Sequence, residues 1–169
     1  MLKVGDKMPE ATLRESPAEQ DETNHCPMPP KPVKVSDICK GKKVVFFGVP
    51  GAFTPTCSGR HVPSFVENLS HLKEKGVDEV CCVAVNDGFV MSAWGASQKA
   101  GGKIRFLGDG EGELAKALGI DVVLPGMGLR NRRFSMLVND GVIEHFNVEE
   151  KGFEVSDAKT LLTQMSQKH

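Results

Sequence analysis

Two short apolar runs stand out in the pattern of hydrophobic and polar positions along this chain. Residues 44–49 read Val-Val-Phe-Phe-Gly-Val, and residues 80–85 read Val-Cys-Cys-Val-Ala-Val. Uninterrupted runs of this length, rich in β-branched residues, are typical of strands that are buried on both faces. The pattern therefore predicts two central strands, over residues 43–49 and 79–85.

Helical spacing of apolar residues follows each predicted strand. Across residues 54–75 these residues recur every three or four positions, with Pro63 expected to kink the helix and Gly76 to end it. Further helices are predicted over residues 89–99, 111–118 and 156–167. Ser156 is a suitable N-cap for the last of them.

Shorter segments complete the predicted fold. Asn139-Asp140-Gly141 separates two apolar segments and predicts a β-hairpin. Short strands are predicted over residues 10–14 and 104–107, and a glycine-rich loop over residues 122–131. Because strands alternate with helices before a closing hairpin, we expect an α/β fold in which helices flank a central mixed sheet.

Length and charge restrict the kind of protein. The 169 residues predict one domain over the whole chain, and the proline-rich residues 16–32 are expected to be a surface insertion between two short strands. The formal net charge of -1 argues against a nucleic-acid or anionic-membrane partner. The apolar runs are too short to span a bilayer.

Cysteine usage and the first residues bear on location. Five cysteines, two of them adjacent in an apolar run, fit a reducing compartment better than a disulfide framework. Residues 1–6 lack the apolar core of a signal peptide, so a cytoplasmic protein is expected. An organellar form whose targeting segment has been removed remains the alternative.

Candidate chemistry lies in the turn after the first predicted strand, Pro50-Gly51-Ala52-Phe53-Thr54-Pro55-Thr56-Cys57. With Thr54 as N-cap and Pro55 as the first helical residue, Cys57 is the third helical residue, where the helix dipole favours a thiolate. The alternative is a small buried hydrophobic residue, but the polar neighbours Thr56 and Ser58 argue against it. The cysteine and histidine spacing favours neither a metal site nor a Cys-x-x-Cys disulfide.

This turn resembles that of the peroxiredoxins, specifically their type II, peroxiredoxin-five-like branch. The resemblance extends to His61-Val62-Pro63, Val85-Asn86-Asp87 with Trp94, and Arg133-Phe134-Ser135-Met136. It implies a thioredoxin-like fold without a bound cofactor, and thiol-dependent reduction of hydrogen peroxide and alkyl hydroperoxides.

The resemblance also assigns residues. It implies that Cys57 is the peroxidatic cysteine and that Thr54, Pro50 and Arg133 complete the active site. Arg133 is expected to stabilise the thiolate and the developing charge because it directly precedes a predicted strand; Arg132 is the second choice. For His61, one helical turn from Cys57, a structural or surface role is expected.

How the oxidised cysteine is reset is left open between two routes. Cys82 matches the second cysteine of plant relatives, but it lies in a predicted buried strand where an inert thiol is the alternative. A one-cysteine cycle is the default, with glutathione and glutaredoxin, or thioredoxin, as the reductant. A peroxide sensor without efficient turnover is the alternative function.

The family resemblance further suggests a homodimer. Its contact patch would include Phe53, Phe89, Trp94 and the loop over residues 126–129. For Phe89 and Trp94 the alternative is a place in the monomer core.

Overall fold

Seven strands form one mixed sheet at the centre of this protein, whose structure is a computed structural model that describes residues 1–16 and 29–167. The strand order is β2-β1-β5-β4-β3-β8-β9; β3, β4 and β5 run parallel to one another, and the other pairs are antiparallel. A separate two-stranded sheet consists of β6 and β7. The strands are β1 (Thr12–Glu15), β2 (Lys31–Lys34), β3 (Lys43–Gly48), β4 (Glu79–Ala84), β5 (Arg105–Gly108), β6 (Asp121–Leu124), β7 (Gly128–Asn131), β8 (Phe134–Asn139) and β9 (Val142–Val148).

Helices cover both faces of the seven-stranded sheet, which is why its central strands are apolar throughout. Val45 and Phe47 of β3 contribute to one hydrophobic cluster, while Val44 and Phe46 contribute to a second cluster on the opposite face. This arrangement confirms the α/β, thioredoxin-like prediction. The helices are α1 (Val35–Cys39), α2 (Val62–Glu67), α3 (Leu69–Glu74), α4 (Gly88–Ser97), α5 (Glu113–Leu118) and α6 (Ala158–Ser166).

The helix predicted over residues 54–75 is divided into shorter segments. Helical backbone begins at Pro55, a π turn spans Cys57–His61, and α2 and α3 are separated at Asn68. Pro63 lies in the first turn of α2, directly after the π turn, so its missing N–H falls where the helical hydrogen-bond pattern changes. The kink expected at Pro63 stays a prediction. At Asn68 the side-chain amide donates to the Ser64 carbonyl at 2.7 Å, while its backbone N–H bonds to Phe65 instead.

The glycine-rich loop predicted over residues 122–131 is wrong, because this segment is the β6–β7 hairpin. Val122 and Leu124 are half-buried and alternate with exposed neighbours, as in a strand with one covered face. Pro125 and Gly126 form the turn: Gly126 has a φ of 75°, and Met127 N–H donates to the Leu124 carbonyl at 3.0 Å. Pro-Gly in the middle of a type II turn was the available signal.

The closing hairpin is confirmed, and the last helix begins one residue later than predicted. Asp140 and Gly141 have φ values of 48° and 83°, as a two-residue type I′ turn requires. The N-cap of α6 is Asp157, whose carboxylate accepts from Thr160 N–H at 3.1 Å. Ser156, the predicted cap, is fully buried and bonds elsewhere.

Before residue 17 and after residue 28, the chain forms the antiparallel pair β1–β2. Lys31 and Pro32 belong to β2 and not to a loop, and Pro32 is tolerated because β2 is an edge strand. Most of the predicted insertion, including Cys26, lies outside the described residues. A single domain with an insertion stays a prediction. In the described part of the chain, no helix is long and apolar enough to cross a membrane.

The pairing of β3 with β8 sets the position of the loop that carries the candidate chemistry. Gly48 is paired with Phe134, so the ends of these strands bring the segment after Gly48 next to Arg133. A Cβ atom added to Gly48 would lie 2.1 Å from the Phe134 ring. Only glycine therefore fits beneath this fully buried ring.

We expect Gly48→Ala to lower the free energy of unfolding by about 1–3 kcal/mol, the usual cost of overpacking, because the Phe134 ring must move. Gly59→Ala is the matched control, since a Cβ there meets no atom within 4 Å and alanine favours helix. Urea unfolding of both variants measures the difference. Equal midpoints for the two variants would contradict this packing constraint.

Candidate active site

Cys57 lies in the first turn of helical backbone after the end of β3. Pro55 is the first helical residue, as predicted, and Ser58 N–H bonds to the Thr54 carbonyl at 2.9 Å. The Cys57 side chain is fully buried and contributes to the same hydrophobic cluster as Phe47 and Phe65. A sulfur in this position is shielded from bulk water while it remains beside the polar start of a helix.

Hydrogen bonds from outside the loop hold the approach to Cys57. Ala52 N–H donates to the Asn86 side chain at 3.0 Å, and Arg130 donates to the Pro50 carbonyl at 3.4 Å. The Thr54 hydroxyl donates to the Gly51 carbonyl at 2.9 Å and does not cap the helix as predicted. Because its proton is used in this way, the Thr54 oxygen presents its lone pairs to a bound molecule.

Arg133 directly precedes β8, and its guanidinium reaches the sulfur. Nη2 donates to Cys57 Sγ at 3.2 Å, while Nη1 contacts His61 Nδ1 at 3.0 Å. Arg133 is buried, with only 9% of its surface exposed. A buried guanidinium that donates to sulfur stabilises a thiolate, since charge-assisted hydrogen bonds are the stronger ones.

His61 is buried behind this contact, so the surface alternative for it is wrong. Its Nε2 lies 3.0 Å from the Ser156 carbonyl. Because arginine has only donors, Nδ1 must accept from Arg133, and Nε2 must carry the proton that Ser156 accepts. Burial, together with the Arg133 charge, lowers the pKa of His61 to about 3, so the ring is neutral near pH 7.

Aromatic rings enclose the charged groups. The Phe153 ring centroid lies 4.9 Å from that of His61 and 5.9 Å from the Arg133 guanidinium carbon. On the other side, the Phe47 ring lies 5.0 Å from His61. Low-dielectric surroundings strengthen the electrostatic interaction between the guanidinium and a sulfur anion.

Taken together, the described side chains place a nucleophile beside a fixed cation. The Cys57 sulfur can attack an electron-poor atom, and the free N–H groups of Arg133 can stabilise negative charge that develops on a leaving oxygen. A cavity of about 400 Å³ borders Pro50, Thr56 and Arg133. Such a site suits cleavage of a weak bond between two electronegative atoms.

The chain matches known proteins over nearly its whole length. Residues 3–162 match the Redoxin family. The chain is 43% identical to peroxiredoxin-2B of Arabidopsis thaliana, over 95% of this chain and 96% of that protein. The chain belongs to the peroxiredoxins. Like that family, it reduces peroxides with a cysteine thiol and depends on a thioredoxin-type reductant, and the sensor alternative is not favoured.

Two further similarities place this peroxiredoxin among its relatives. It is 44% identical to the chloroplastic peroxiredoxin-2E-2 of Oryza sativa subsp. japonica, over 95% of this chain and 71% of that protein. The crystal structure of reduced Prx3 from Vibrio vulnificus in complex with hydrogen peroxide superposes with a TM-score of 0.87. That protein is 41% identical, over 98% of this chain and 99% of that chain.

The other candidate residues of this peroxiredoxin occupy different surroundings. Cys82 in β4 is fully buried in the same cluster as Cys57, and burial raises its pKa well above the usual value for cysteine. Arg132, the second choice for the guanidinium, points elsewhere and donates to the Glu149 carbonyl at 2.8 Å. Trp94 is fully buried, so it belongs to the core and not to an exposed patch, whereas Phe89 is exposed.

The role of His61 in this network was not predicted. Its spacing of four residues from Cys57 was the available signal, since that spacing places two side chains on one helical face. Nothing local in the sequence indicated that the Ser156 carbonyl and the Arg133 guanidinium would meet at this ring.

We expect His61 to make stability depend on pH below about 6.5. The histidine binds a proton in that pH range in the unfolded chain but not in the folded protein. The contribution of His61 to the free energy of unfolding is therefore fully present above the unfolded pKa, and it falls with decreasing pH by up to roughly 1.4 kcal/mol per pH unit. His61→Gln should lose this slope, measured by urea unfolding between pH 7 and 5. The exposed His71 gives the control, His71→Gln, which should keep the slope of the unsubstituted protein. A His61→Gln slope equal to that of the control would contradict a neutral, buried His61.

Proposed function

We propose that Cys57 is the nucleophile of the peroxide reduction. Its thiolate attacks one peroxide oxygen while the O–O bond breaks. The sulfur is oxidised to a sulfenic acid, the peroxide is reduced, and the leaving oxygen takes a proton to become water or an alcohol. The observation that carries this assignment is the 3.2 Å contact from Arg133 Nη2 to Cys57 Sγ.

Arg133 has two roles in this proposal. In the reduced protein it stabilises the thiolate, and in the transition state it stabilises the charge that moves onto the leaving oxygen. His61 keeps one edge of the guanidinium occupied, so the other edge faces the sulfur. A positioned cation matters because a low thiol pKa alone also lowers nucleophilicity.

Thr54 and Pro50 position the peroxide. The Thr54 hydroxyl, whose proton goes to Gly51, accepts a hydrogen bond from the peroxide O–H. Pro50 has no N–H to compete for the substrate, and its carbonyl is fixed by Arg130. These contacts hold the reacting oxygen near the sulfur, which is the entropic part of the rate gain.

An external thiol completes the cycle in this proposal. It condenses with the sulfenic acid to give a mixed disulfide and water, and a second thiol then releases the Cys57 thiol. Glutathione with glutaredoxin, or thioredoxin, supplies these thiols. Cys82 supports this assignment indirectly: a thiol that is fully buried in a central strand is a poor attacking group.

We also infer a homodimer and a cytoplasmic location. Phe53, Phe89 and Met127 are apolar yet 58%, 46% and 37% exposed, and Phe53 belongs to the loop that leads to Cys57. Contact between two copies would bury these side chains. The similarity to a chloroplastic relative makes an organellar form the alternative location.

We expect Arg133→Lys to slow the reaction of the reduced protein with hydrogen peroxide by about a hundredfold, because lysine keeps the charge but loses the fixed pair of donors. Stopped-flow measurement of the second-order rate constant tests this, with Cys57→Ser as the inactive reference. Arg132→Lys is the matched comparison and should cost much less. An equal fall in the rate constant in both variants would contradict the role assigned to Arg133.

We expect Cys82→Ser to keep peroxide turnover with glutathione and glutaredoxin or with thioredoxin, within about twofold, because a buried thiol does not resolve the sulfenic acid. Mass spectrometry of protein quenched during turnover should find the mixed disulfide on Cys57. Loss of turnover in Cys82→Ser, with its unfolding midpoint unchanged, would instead establish a two-cysteine cycle.

A further inference from the structure

Glu149 is a buried carboxylate that lies outside the proposed catalytic residues. It directly follows β9 and is only 5% exposed. One oxygen, Oε2, accepts from the N–H groups of Glu154, Val155 and Ser156 at 2.8–2.9 Å, and from the Ser156 hydroxyl at 2.7 Å. Within the described residues no cation is within ion-pair distance, so neutral donors alone compensate the buried charge.

These donors belong to a segment without regular secondary structure. Residues 149–157 form neither helix nor strand, so their N–H groups have no ladder to join. The Glu149 carboxylate accepts these hydrogen bonds in place of a neighbouring strand, and it thereby fixes the backbone at Ser156. Burial opposes ionisation, but the hydrogen bonds from Ser156, Val155 and Glu154 outweigh it and lower the pKa of Glu149.

The segment that Glu149 fixes ends on the active site. The Ser156 carbonyl accepts from His61 Nε2 at 3.0 Å, His61 Nδ1 accepts from Arg133, and Arg133 donates to the sulfur. Phe153, in the same segment, lies against both His61 and Arg133. The carboxylate is therefore linked to Cys57 through hydrogen bonds that are joined by the backbone of Ser156.

Glu149 also holds the main chain at the other side of this series. Its N–H donates to the Arg133 carbonyl at 2.9 Å. Its own carbonyl accepts from Arg132 Nε and Nη2 at 3.2 and 2.8 Å. One residue thus fixes both the backbone from which the Arg133 side chain projects and the carbonyl that orients the histidine behind it.

We propose that Glu149 is a positioning residue for peroxide reduction, which acts through Ser156 and His61 to hold the Arg133 guanidinium against the Cys57 sulfur. This inference rests on the proposed roles of Cys57 and Arg133. The Glu149 carboxylate does not contact the sulfur itself. Its role is to preorganise Arg133, the cation that contacts the sulfur. Preorganisation of this kind matters because small displacements of an electrostatic group reduce transition-state stabilisation.

Glu149→Gln tests the proposal, because it keeps the shape but removes the charge and replaces one acceptor with a donor. We expect its rate constant with hydrogen peroxide to fall about tenfold, comparable to the loss of an outer-shell partner at a metal site. Glu150→Gln, which removes the same charge from the exposed neighbour, should change it less than twofold. The fluorescence of Trp94, the only tryptophan, reports the reaction, since its indole donates to Ser58 beside Cys57 at 2.9 Å.

A second readout separates positioning from general stability. In the NMR spectrum, the His61 Nε2–H proton should exchange faster with water in Glu149→Gln than in Glu150→Gln, because a neutral amide oxygen accepts more weakly than a carboxylate and holds the Ser156 backbone less firmly. A slower reaction with an unchanged His61 signal would overturn the proposal, as would equal rates in the two variants. If Glu149→Gln does not fold, Ser156→Ala replaces it, because it removes one of the four donors to the carboxylate. We expect a smaller fall in the rate constant and a smaller increase in the exchange rate of the His61 proton. An unchanged His61 signal in Ser156→Ala would also overturn the proposal.

The outcomes also separate this inference from the function on which it rests. If the proposed nucleophile is wrong, Cys57→Ser retains turnover. If only the positioning role is wrong, Arg133→Lys is impaired while Glu149→Gln behaves like Glu150→Gln.

Discussion

The contact between the Arg133 guanidinium and the Cys57 sulfur is the interaction on which the rest of the site depends. Arginine does not release its proton in proteins, so this buried side chain must find compensation for its charge. Its described side-chain partners are the neutral His61 ring, the Phe153 face and the sulfur. Of these only the sulfur can become an anion. In the proposed mechanism the Cys57 thiolate supplies this compensation, so the buried cation and the reactive form of the cysteine stabilise one another.

The fold delivers this contact through strand register. Gly48 of β3 is paired with Phe134 of β8, so the loop after one strand and the residue before the other meet at the same edge of the sheet. A shift of one residue would turn the buried side chains of β8 to the wrong face. The tight fit between Gly48 and the Phe134 ring opposes such a shift. Core packing at this point thus sets the position of the backbone from which the Arg133 side chain projects.

Sequence reasoning succeeded where one local rule decided the structure. The apolar runs of β3 and β4, the Asn-Asp-Gly hairpin and the position of Cys57 just inside a helix all follow from short patterns. It failed where partners come from far along the chain. The neutral state of His61 depends on its burial and on the charge of Arg133, which is 72 residues away along the chain. The break at Asn68 is local, but it depends on a side-chain contact with the Ser64 carbonyl that the spacing of apolar residues does not show. Glu149 gave no signal, because its donors lie in a segment whose path only the tertiary structure defines.

Complete burial of the Cys57 sulfur affects the two halves of a thiol peroxidase cycle differently. The first half is the reaction with peroxide, and the second is reduction by an external thiol. A peroxide group is small, and a cavity of about 400 Å³ beside Pro50, Thr56 and Arg133 is large enough to admit it. A thiol on a protein or a tripeptide is far larger, and a sulfur without exposed surface offers it nothing to attack. With Cys57 as the proposed nucleophile, the first half favours the closed arrangement that Arg133 and His61 maintain, whereas the second half requires Cys57 to move to where a larger thiol can reach it. The π turn at Cys57–His61 is where helical hydrogen bonding is already irregular, so movement there disrupts fewer regular bonds than movement of the central strands.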